Sequence, residues 1–291
     1  MTATLQEWRQ GGETAVLTVG GAQRKVFIRR AGSGPTVVLL HGFPASSFEW
    51  AALESELAPH REVVTFDFLG YGSSDKPAGH RYSIFEQTDL AEAVIAAHAP
   101  SATALIAYDY GAIVATELLA RRAERPTDVQ RCIFLNAGLF ADKYRPRLAQ
   151  RASLMPVVGA LLARLFTESL FFKTWSEVFS AEHPLNRDFA AEHYRALRQN
   201  DPDGDIQRKL LRYIPERGAH TARFEKALAH TDVPLSFLWG MRDPVSGAAI
   251  AGDLRTRIPD ADLVEYPDAG HCPHIEIPGR VAADILQRTA L

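Results

Sequence analysis

Cysteine is scarce in this chain, which has Cys132 and Cys272 and no other cysteine among its 291 residues. Two cysteines cannot build a disulfide framework, and neither has the spacing of a metal-ligand motif. Basic residues are not in excess either, because 32 lysines and arginines face 35 aspartates and glutamates. A nucleic-acid-binding domain needs a basic surface. These scarcities argue against a disulfide scaffold and a nucleic-acid-binding protein, and we expect neither a metal nor a cofactor.

Uninterrupted apolar runs of membrane-spanning length are also lacking. The longest apolar stretch, residues 152–172, contains Pro156, Arg164 and Glu168 and is too polar for a spanning helix. The N-terminal residues have no apolar core of signal-peptide length. We therefore expect a cytoplasmic protein, either a monomer or a homodimer. Residues 155–172 are expected to line a pocket rather than to dock on a membrane surface.

Apolar runs of strand length alternate with helical patterns along most of the chain. An opening hairpin is predicted around Gly20 and Gly21. Further strands are predicted at residues 36–40, 63–66, 104–108, 131–136, 234–240 and 262–266, and helices at 48–57, 84–98, 110–122, 248–257 and from 280 onward. Strands and helices that alternate in this way predict an α/β protein with a mostly parallel, doubly wound sheet.

The alternation stops between residues 139 and 226. This block contains helical patterns, for example at residues 157–165 and 188–198, but no convincing strand. A structureless connection of this length would be unusual in a compact domain. We therefore predict a helical cap at 139–226, inserted into a core formed by residues 1–138 and 227–291.

The stretch Ala107-Tyr108-Asp109-Tyr110-Gly111 follows a predicted strand and opens a predicted helix. It fits the nucleophile elbow, in which a nucleophile on a strained corner is flanked, two residues away on each side, by small residues. Ala107 and Gly111 supply the small residues. The alternative is that Asp109 only caps the following helix, a role that aspartate favours.

Two more loops after predicted strands carry an acid and a base. Asp243 lies in Gly-Met-Arg-Asp-Pro, and His271 follows the glycine of Asp-Ala-Gly-His. The order nucleophile, acid, histidine is typical of the α/β-hydrolase architecture. By itself Asp243 could be a turn residue. His274 is interpreted as a structural neighbour, and Cys272 has no elbow and is not expected to be a nucleophile.

The stretch His-Gly-Phe-Pro at residues 41–44 supplies the remaining part of such a site. An oxyanion hole needs two N–H groups aimed at one point, commonly from the residue after the nucleophile and from the loop after an earlier strand. Here those residues are Tyr110 and Phe43. The alternative is that His-Gly-Phe-Pro is a simple turn.

An aspartate at the elbow decides the class of reaction. Carboxyl groups have an ordinary pKa near 4 and are ionised at neutral pH, so this nucleophile needs no base to activate it. Attack on an ester or amide would give a mixed anhydride, whereas attack on a saturated carbon gives a stable alkyl ester. Epoxides and haloalkanes are therefore the expected substrates. We expect Asp109 to be alkylated and His271, oriented by Asp243, to activate the water that hydrolyses the ester.

The chain resembles the α/β-hydrolases that have an aspartate nucleophile, which include epoxide hydrolases and haloalkane dehalogenases. Its motifs are most similar to those of the mesoderm-specific transcript group. The segments that carry the resemblance are HGFPASSFEW at 41–50, DFLGYGSSDKP at 67–77, YSIFEQ at 82–87 and YDYGAIVA at 108–115. The resemblance covers the predicted core and is weaker in the predicted cap. It implies an α/β-hydrolase fold and hydrolytic activity on one of these two substrate classes.

Within this family, the details favour a small apolar epoxide, opened by water to a vicinal diol. Dehalogenases typically place Asn where this chain has Phe43 and Trp where it has Tyr110, and both side chains bind the departing halide. Epoxide hydrolases use cap tyrosines as ring-opening acids, and Tyr213 is placed like one of them, although it could merely pack within the cap. A second such tyrosine is not identified; the pocket candidates are Tyr144, Trp175 and Tyr194. The alternatives are a haloalkane dehalogenase with an atypical halide site and a non-catalytic ligand-binding protein.

Overall fold

A single sheet organises the computed structural model, which describes residues 3–101, 104–125, 129–140, 155, 159, 163 and 166–290. Within these residues eight strands are hydrogen-bonded in the order β1-β2-β4-β3-β5-β6-β7-β8. The strands are β1 (Gly12–Val19), β2 (Ala22–Ala31), β3 (Thr36–Leu40), β4 (Glu62–Phe66), β5 (Ala104–Tyr108), β6 (Cys132–Leu135), β7 (Leu235–Gly240) and β8 (Asp262–Tyr266). β2 pairs antiparallel with β1 and β4, and the other neighbours are parallel.

The centre of the sheet is the most apolar part of the molecule. Every residue of β5 and β6 is buried, as expected for strands covered on both faces. The helices of the core are α1 (Leu5–Gln10), α2 (Ala51–Leu57), α3 (Ile84–His98), α4 (Tyr110–Arg121), α10 (Ala248–Arg257), α11 (Pro273–Glu276) and α12 (Pro278–Arg288). α3 packs on α4, and α2 packs on α12. The predicted α/β fold and its strand order along the chain are confirmed.

Most of the stretch between β6 and β7 that the structure describes is helical. It contains α5 (Glu168–Ser176), α6 (Arg187–Arg198), α7 (Ile206–Leu210), α8 (Tyr213–Ala219) and α9 (Thr221–His230), and no strand between residues 166 and 230. The helix predicted at 188–198 is confirmed, whereas the one predicted at 157–165 lies mostly outside the described residues. The division into core and cap stays a prediction, and its second boundary, at 226, falls within α9.

Helix α1 was not predicted, although its signal is present in the sequence. The Thr4 hydroxyl accepts the Glu7 amide at 3.3 Å, and the Glu7 carboxylate accepts the Thr4 amide at 2.8 Å, which together form a capping box. Trp8 of this helix is buried against the core. None of the helices in the described part of the chain is long and apolar enough to cross a membrane.

Candidate active site

Asp109 occupies the corner between β5 and α4, with φ 44° and ψ −107°. Residues other than glycine rarely adopt a positive φ, so the surrounding structure must hold this strained conformation. The turn also brings two backbones together. A Cβ on Gly111 would lie 2.3 Å from the carbonyl oxygen of Leu40, which explains why the elbow needs a residue without a side chain at that position.

The side chain of Asp109 points to the loop after β3 rather than along its own helix. Its Oδ2 accepts the backbone N–H of Phe43 at 2.9 Å. The described structure contains no capping hydrogen bond from the Asp109 side chain to α4. This geometry disfavours the helix-cap interpretation.

His271 lies between the two carboxylates that the sequence pairs with it. Its Nε2 is 3.8 Å from Oδ1 of Asp109, and its Nδ1 is 2.7 Å from Oδ2 of Asp243. The backbone N–H of His271 donates to the carbonyl of Val178 at 2.8 Å, which holds the histidine loop against the segment that follows α5. The fold thus gathers Asp109, Asp243 and His271 at the carboxyl ends of the parallel strands, where ligand sites of such sheets lie.

The charges of this cluster favour an imidazolium beside two carboxylates. Burial alone would lower the pKa of His271, but the charge of Asp243 and the proximity of Asp109 raise it above its ordinary value. Burial alone would raise the pKa of Asp243, but His271 and hydrogen bonds from Ser246 and Val245 lower it. In the free protein we therefore expect Asp243 to be ionised and His271 to be protonated at neutral pH.

Asp243 is held by donors that the sequence interpretation missed. The side-chain amide of Asn136 donates to Asp243 Oδ2 at 2.9 Å, and the Val245 amide donates to Oδ1 at 2.7 Å. The Ser246 hydroxyl also donates to Oδ2. Asn136 directly follows β6, and a polar residue at the end of a buried strand is the signal that could have identified it. With these partners the carboxylate has one orientation towards His271.

The two residues predicted to form the oxyanion hole lie next to Asp109. The Phe43 amide already binds its carboxylate. Tyr110 is the first residue of α4, where backbone amides have no partner within the helix. The Tyr110 ring is buried and contacts the rings of Phe68, Tyr71 and Tyr213. The side chain of Tyr110 therefore serves as packing, while its amide lies beside the elbow.

Tyr213 is the predicted cap residue that the structure brings close to this site. It begins α8 and is buried, and its ring centroid lies 6.0 Å from that of Phe43 and 5.0 Å from that of Tyr110. Because the Phe43 amide binds Asp109, these ring contacts place Tyr213 in the layer directly around the elbow.

The other cap candidates have different positions. The Tyr194 hydroxyl donates to the Phe166 carbonyl at 2.8 Å. Trp175 is buried among the rings of Phe171, Phe189 and His193. In the part of the chain that the structure describes, neither Trp175 nor Tyr194 forms a hydrogen bond or ring contact with Asp109 or Phe43. Tyr144 lies outside the described residues. Trp175 and Tyr194 thus form packing between α5 and α6.

Cys272 adjoins His271 in sequence but is not exposed as a nucleophile. Its Sγ lies 3.0 Å from the Tyr108 hydroxyl, and burial raises the pKa of the thiol well above its ordinary value. His274 is fully buried, and burial lowers its pKa to about 3. No group of three or more His, Cys, Asp or Glu side chains among the described residues could hold a metal ion.

Known proteins resemble this chain over nearly its full length. The family described as alpha/beta hydrolase fold matches residues 35–278. LipZ of Mycobacterium tuberculosis, a protein named as a hydrolase, is 38% identical over 278 residues, which cover 94% of each chain. The human mesoderm-specific transcript homolog protein is 33% identical over 96% of this chain and 85% of its own. Haloalkane dehalogenase DbeA from Bradyrhizobium elkani superposes with a TM-score of 0.78 at 22% identity, over 96% of this chain and 98% of its own.

Proposed function

Because this chain is a hydrolase of the alpha/beta hydrolase fold family, we propose that it opens an apolar epoxide to a vicinal diol through an alkyl ester of Asp109. The observation that carries the proposal is the position of the Asp109 carboxylate. Its Oδ2 is held by the Phe43 amide at 2.9 Å, and its Oδ1 faces His271 Nε2 at 3.8 Å. Oδ2 is thus positioned to carry the negative charge of the later intermediate, and Oδ1 is positioned to attack the substrate.

The first step forms the ester. Oδ1 of Asp109 attacks one ring carbon of the epoxide, and the bond between that carbon and the epoxide oxygen breaks. The oxygen takes a proton from the hydroxyl of Tyr213, whose ring contacts that of Phe43. General acid catalysis of this kind contributes roughly 10²- to 10⁴-fold to rate. The products of this step are a hydroxyalkyl ester and a phenolate.

Ester formation also prepares the base for the second step. The negative charge of Asp109 is one cause of the raised pKa of His271, and esterification removes it. His271 then loses its proton, through solvent, to the Tyr213 phenolate. The neutral imidazole, still held by Asp243, can accept a proton from water.

The second step hydrolyses the ester. His271 removes a proton from water, whose oxygen attacks Cγ of Asp109, and the developing negative charge falls on Oδ2. Amides of Phe43 and Tyr110 stabilise this charge, an effect worth about 3 kcal/mol for each donor. Collapse of the intermediate breaks the bond between Cγ and Oδ1, which leaves with the diol. The departing alkoxide takes the proton of the newly added hydroxyl, which restores the carboxylate while His271 stays protonated, so the net reaction is addition of water to the epoxide.

A haloalkane dehalogenase is the runner-up, and the side chains around the elbow do not favour it. Halide release needs side-chain donors beside the leaving group, but Phe43 has none and the Tyr110 ring is stacked on Tyr71. Release of chloride or bromide from simple haloalkanes at a rate above that of epoxide opening would establish the runner-up.

A single turnover in oxygen-18 water tests the proposal. With excess enzyme, the covalent route puts the heavy oxygen into the Asp109 carboxylate, where mass spectrometry of the peptide containing Asp109 detects it. Enzyme kept in the same water without epoxide is the control. Label found only in the diol after one turnover would establish direct attack by water. Tight binding of apolar epoxides without turnover would favour the non-catalytic alternative.

A further inference from the structure

Two consecutive amides of the loop after β3 bind two different carboxyl groups. The N–H of Phe43 donates to Asp109 Oδ2 at 2.9 Å, and the N–H of Gly42 donates to Glu49 Oε1 at 2.7 Å. Glu49 belongs to the short 3-10 helix Ser47–Trp50, which follows this loop. The hydrogen bond from Gly42 to Glu49 therefore fixes the loop conformation in which the Phe43 amide points to the nucleophile.

Glu49 is buried without a strong cationic partner. Only 1% of the residue is exposed, and no lysine or arginine among the described residues lies within 4.0 Å of its carboxylate. Its nearest basic neighbour is His274, whose Nε2 is 3.9 Å from Oε2 and which is itself fully buried. Neither ring nitrogen of His274 has a hydrogen-bond partner among the described residues. A neutral imidazole at that distance cannot balance a negative charge.

The other charges around Glu49 come from the active site itself. His41 directly follows β3, Asp109 accepts the Phe43 amide of the same loop, and His271 lies 3.8 Å from Asp109. Burial raises the pKa of Glu49 to about 8, with a further contribution from Asp109, while His41, the Gly42 amide and His271 oppose the shift. An ionised Glu49 would place a second negative charge behind the position where the oxyanion develops, which would oppose that step.

We propose that Glu49 is a positioning residue that acts as a neutral acid, with its carbonyl oxygen holding Gly42 so that the Phe43 amide meets the oxyanion. Glu49 acts through the backbone and does not touch the substrate. The inference rests on the proposed function, because it assigns a role in the hydrolysis of the Asp109 ester.

Two substitutions separate the hydrogen bond from the charge. In Glu49→Gln an amide oxygen can still accept the Gly42 N–H, whereas in Glu49→Leu the donor is left unpaired. Stopped-flow kinetics should show ester hydrolysis at least about tenfold slower in Glu49→Leu, with ester formation less affected, because an oxyanion donor is worth at least that much. Glu49→Gln should restore the rate. Equal slowing of both steps in Glu49→Leu would overturn the positioning role.

The pH dependence of ester hydrolysis tests whether Glu49 acts in its neutral form. As pH rises through about 8, the wild-type carboxyl ionises but the glutamine does not. The ratio of the Glu49→Gln rate to the wild-type rate of ester hydrolysis should therefore rise at least about threefold above that pH. His271 titrates in both proteins, and nitrogen-15 spectra of its imidazole measure any difference between them. A ratio that stays constant with pH would overturn the neutral-acid role.

Thermal stability and the amide spectrum can be measured without substrate turnover. They therefore distinguish a failure of this inference from a failure of the proposed function. Glu49 has a raised pKa in the folded state, so its contribution to stability is complete below its ordinary value of 4.5 and is lost as pH rises to about 8. The Tm of wild type should accordingly fall relative to Glu49→Gln across that range. In nitrogen-15 spectra the Phe43 amide signal should move in Glu49→Leu and return in Glu49→Gln. If both results appear without epoxide turnover, only the proposed function fails; if neither appears, the role of Glu49 fails.

Discussion

Asn136 donates its side-chain amide to Asp243 Oδ2 over 2.9 Å, across 107 residues of sequence. The same amide donates to the carbonyl of Gly240 at 2.9 Å, and its oxygen accepts the Gly240 N–H at 2.6 Å. The backbone carbonyl of Asn136 accepts the N–H of Asp109 at 3.2 Å. A residue with no part in the proposed chemistry thus fixes the two loops that carry the nucleophile and the acid.

Replacement of Asn136 by alanine should therefore affect both stability and ester hydrolysis. It removes the side-chain partner of the Gly240 N–H and carbonyl and one of several donors to Asp243, and each buried group left unpaired costs about 1–3 kcal/mol. Urea unfolding should show a loss in that range, and stopped-flow kinetics should show slower ester hydrolysis. Ser246→Ala, which removes one donor to Asp243 but leaves Gly240 paired, is the control and should lose less stability. If Asn136→Ala is as stable as wild type, Asn136 does not fix these two loops.

Substitution of Asp109 by asparagine should lower the pKa of His271. The variant removes one of the charges that raise this pKa, as esterification does, but leaves Asp243 in place. An opposite charge at this distance shifts a pKa by about one to three units. Nitrogen-15 spectra of the imidazole during a pH titration measure the change directly. An unchanged His271 titration in Asp109→Asn would contradict the proposal that ester formation releases the base.

Tyr213→Phe should slow the opening of the epoxide by roughly 10²- to 10⁴-fold, because the variant removes the proposed proton donor. Hydrolysis of an ester once formed should change little. The matched control is Tyr194→Phe, since the Tyr194 hydroxyl donates to the Phe166 carbonyl in the packing between helices. Single-turnover measurements of ester formation and hydrolysis distinguish the two steps. Equal effects of the two substitutions on ester formation would contradict the assignment of Tyr213.

The central residues of the site can be predicted from the sequence because the topology of the sheet determines where they lie. Parallel strands end at the same edge of the sheet, so residues that follow such strands meet whatever their separation in the chain. Asp109, Asp243 and His271 each follow a strand in this way. The elbow could likewise be identified from the small residues Ala107 and Gly111.

The residues that hold the site in place could not be found in this way. Which groups they contact depends on the directions of their side chains, and the sequence pattern does not show those directions. Nothing in the local pattern shows that Glu49 turns back to Gly42. The same limit applies between β6 and β7, where the orientation of α5 and α6 directs Trp175 and Tyr194 into packing. Local motifs show only part of such contacts. The Ser83 hydroxyl caps α3, but Glu86, three residues later, bonds to His80 at 2.7 Å rather than completing a capping box.

Gly111→Ala tests whether close backbone contact builds the elbow. The added Cβ would lie 2.3 Å from the Leu40 carbonyl oxygen, and because both sides of this contact are backbone, no side chain can move aside. Overpacking of this kind costs about 1–3 kcal/mol, and the shift would displace Asp109 and reduce ester formation. The control is Gly252→Ala in the middle of α10, where a Cβ meets nothing within 4 Å. Alanine favours a helix over glycine by about 1 kcal/mol, so this variant should be more stable. Urea unfolding measures both, and equal stability of the two variants would show that the elbow tolerates a side chain at Gly111.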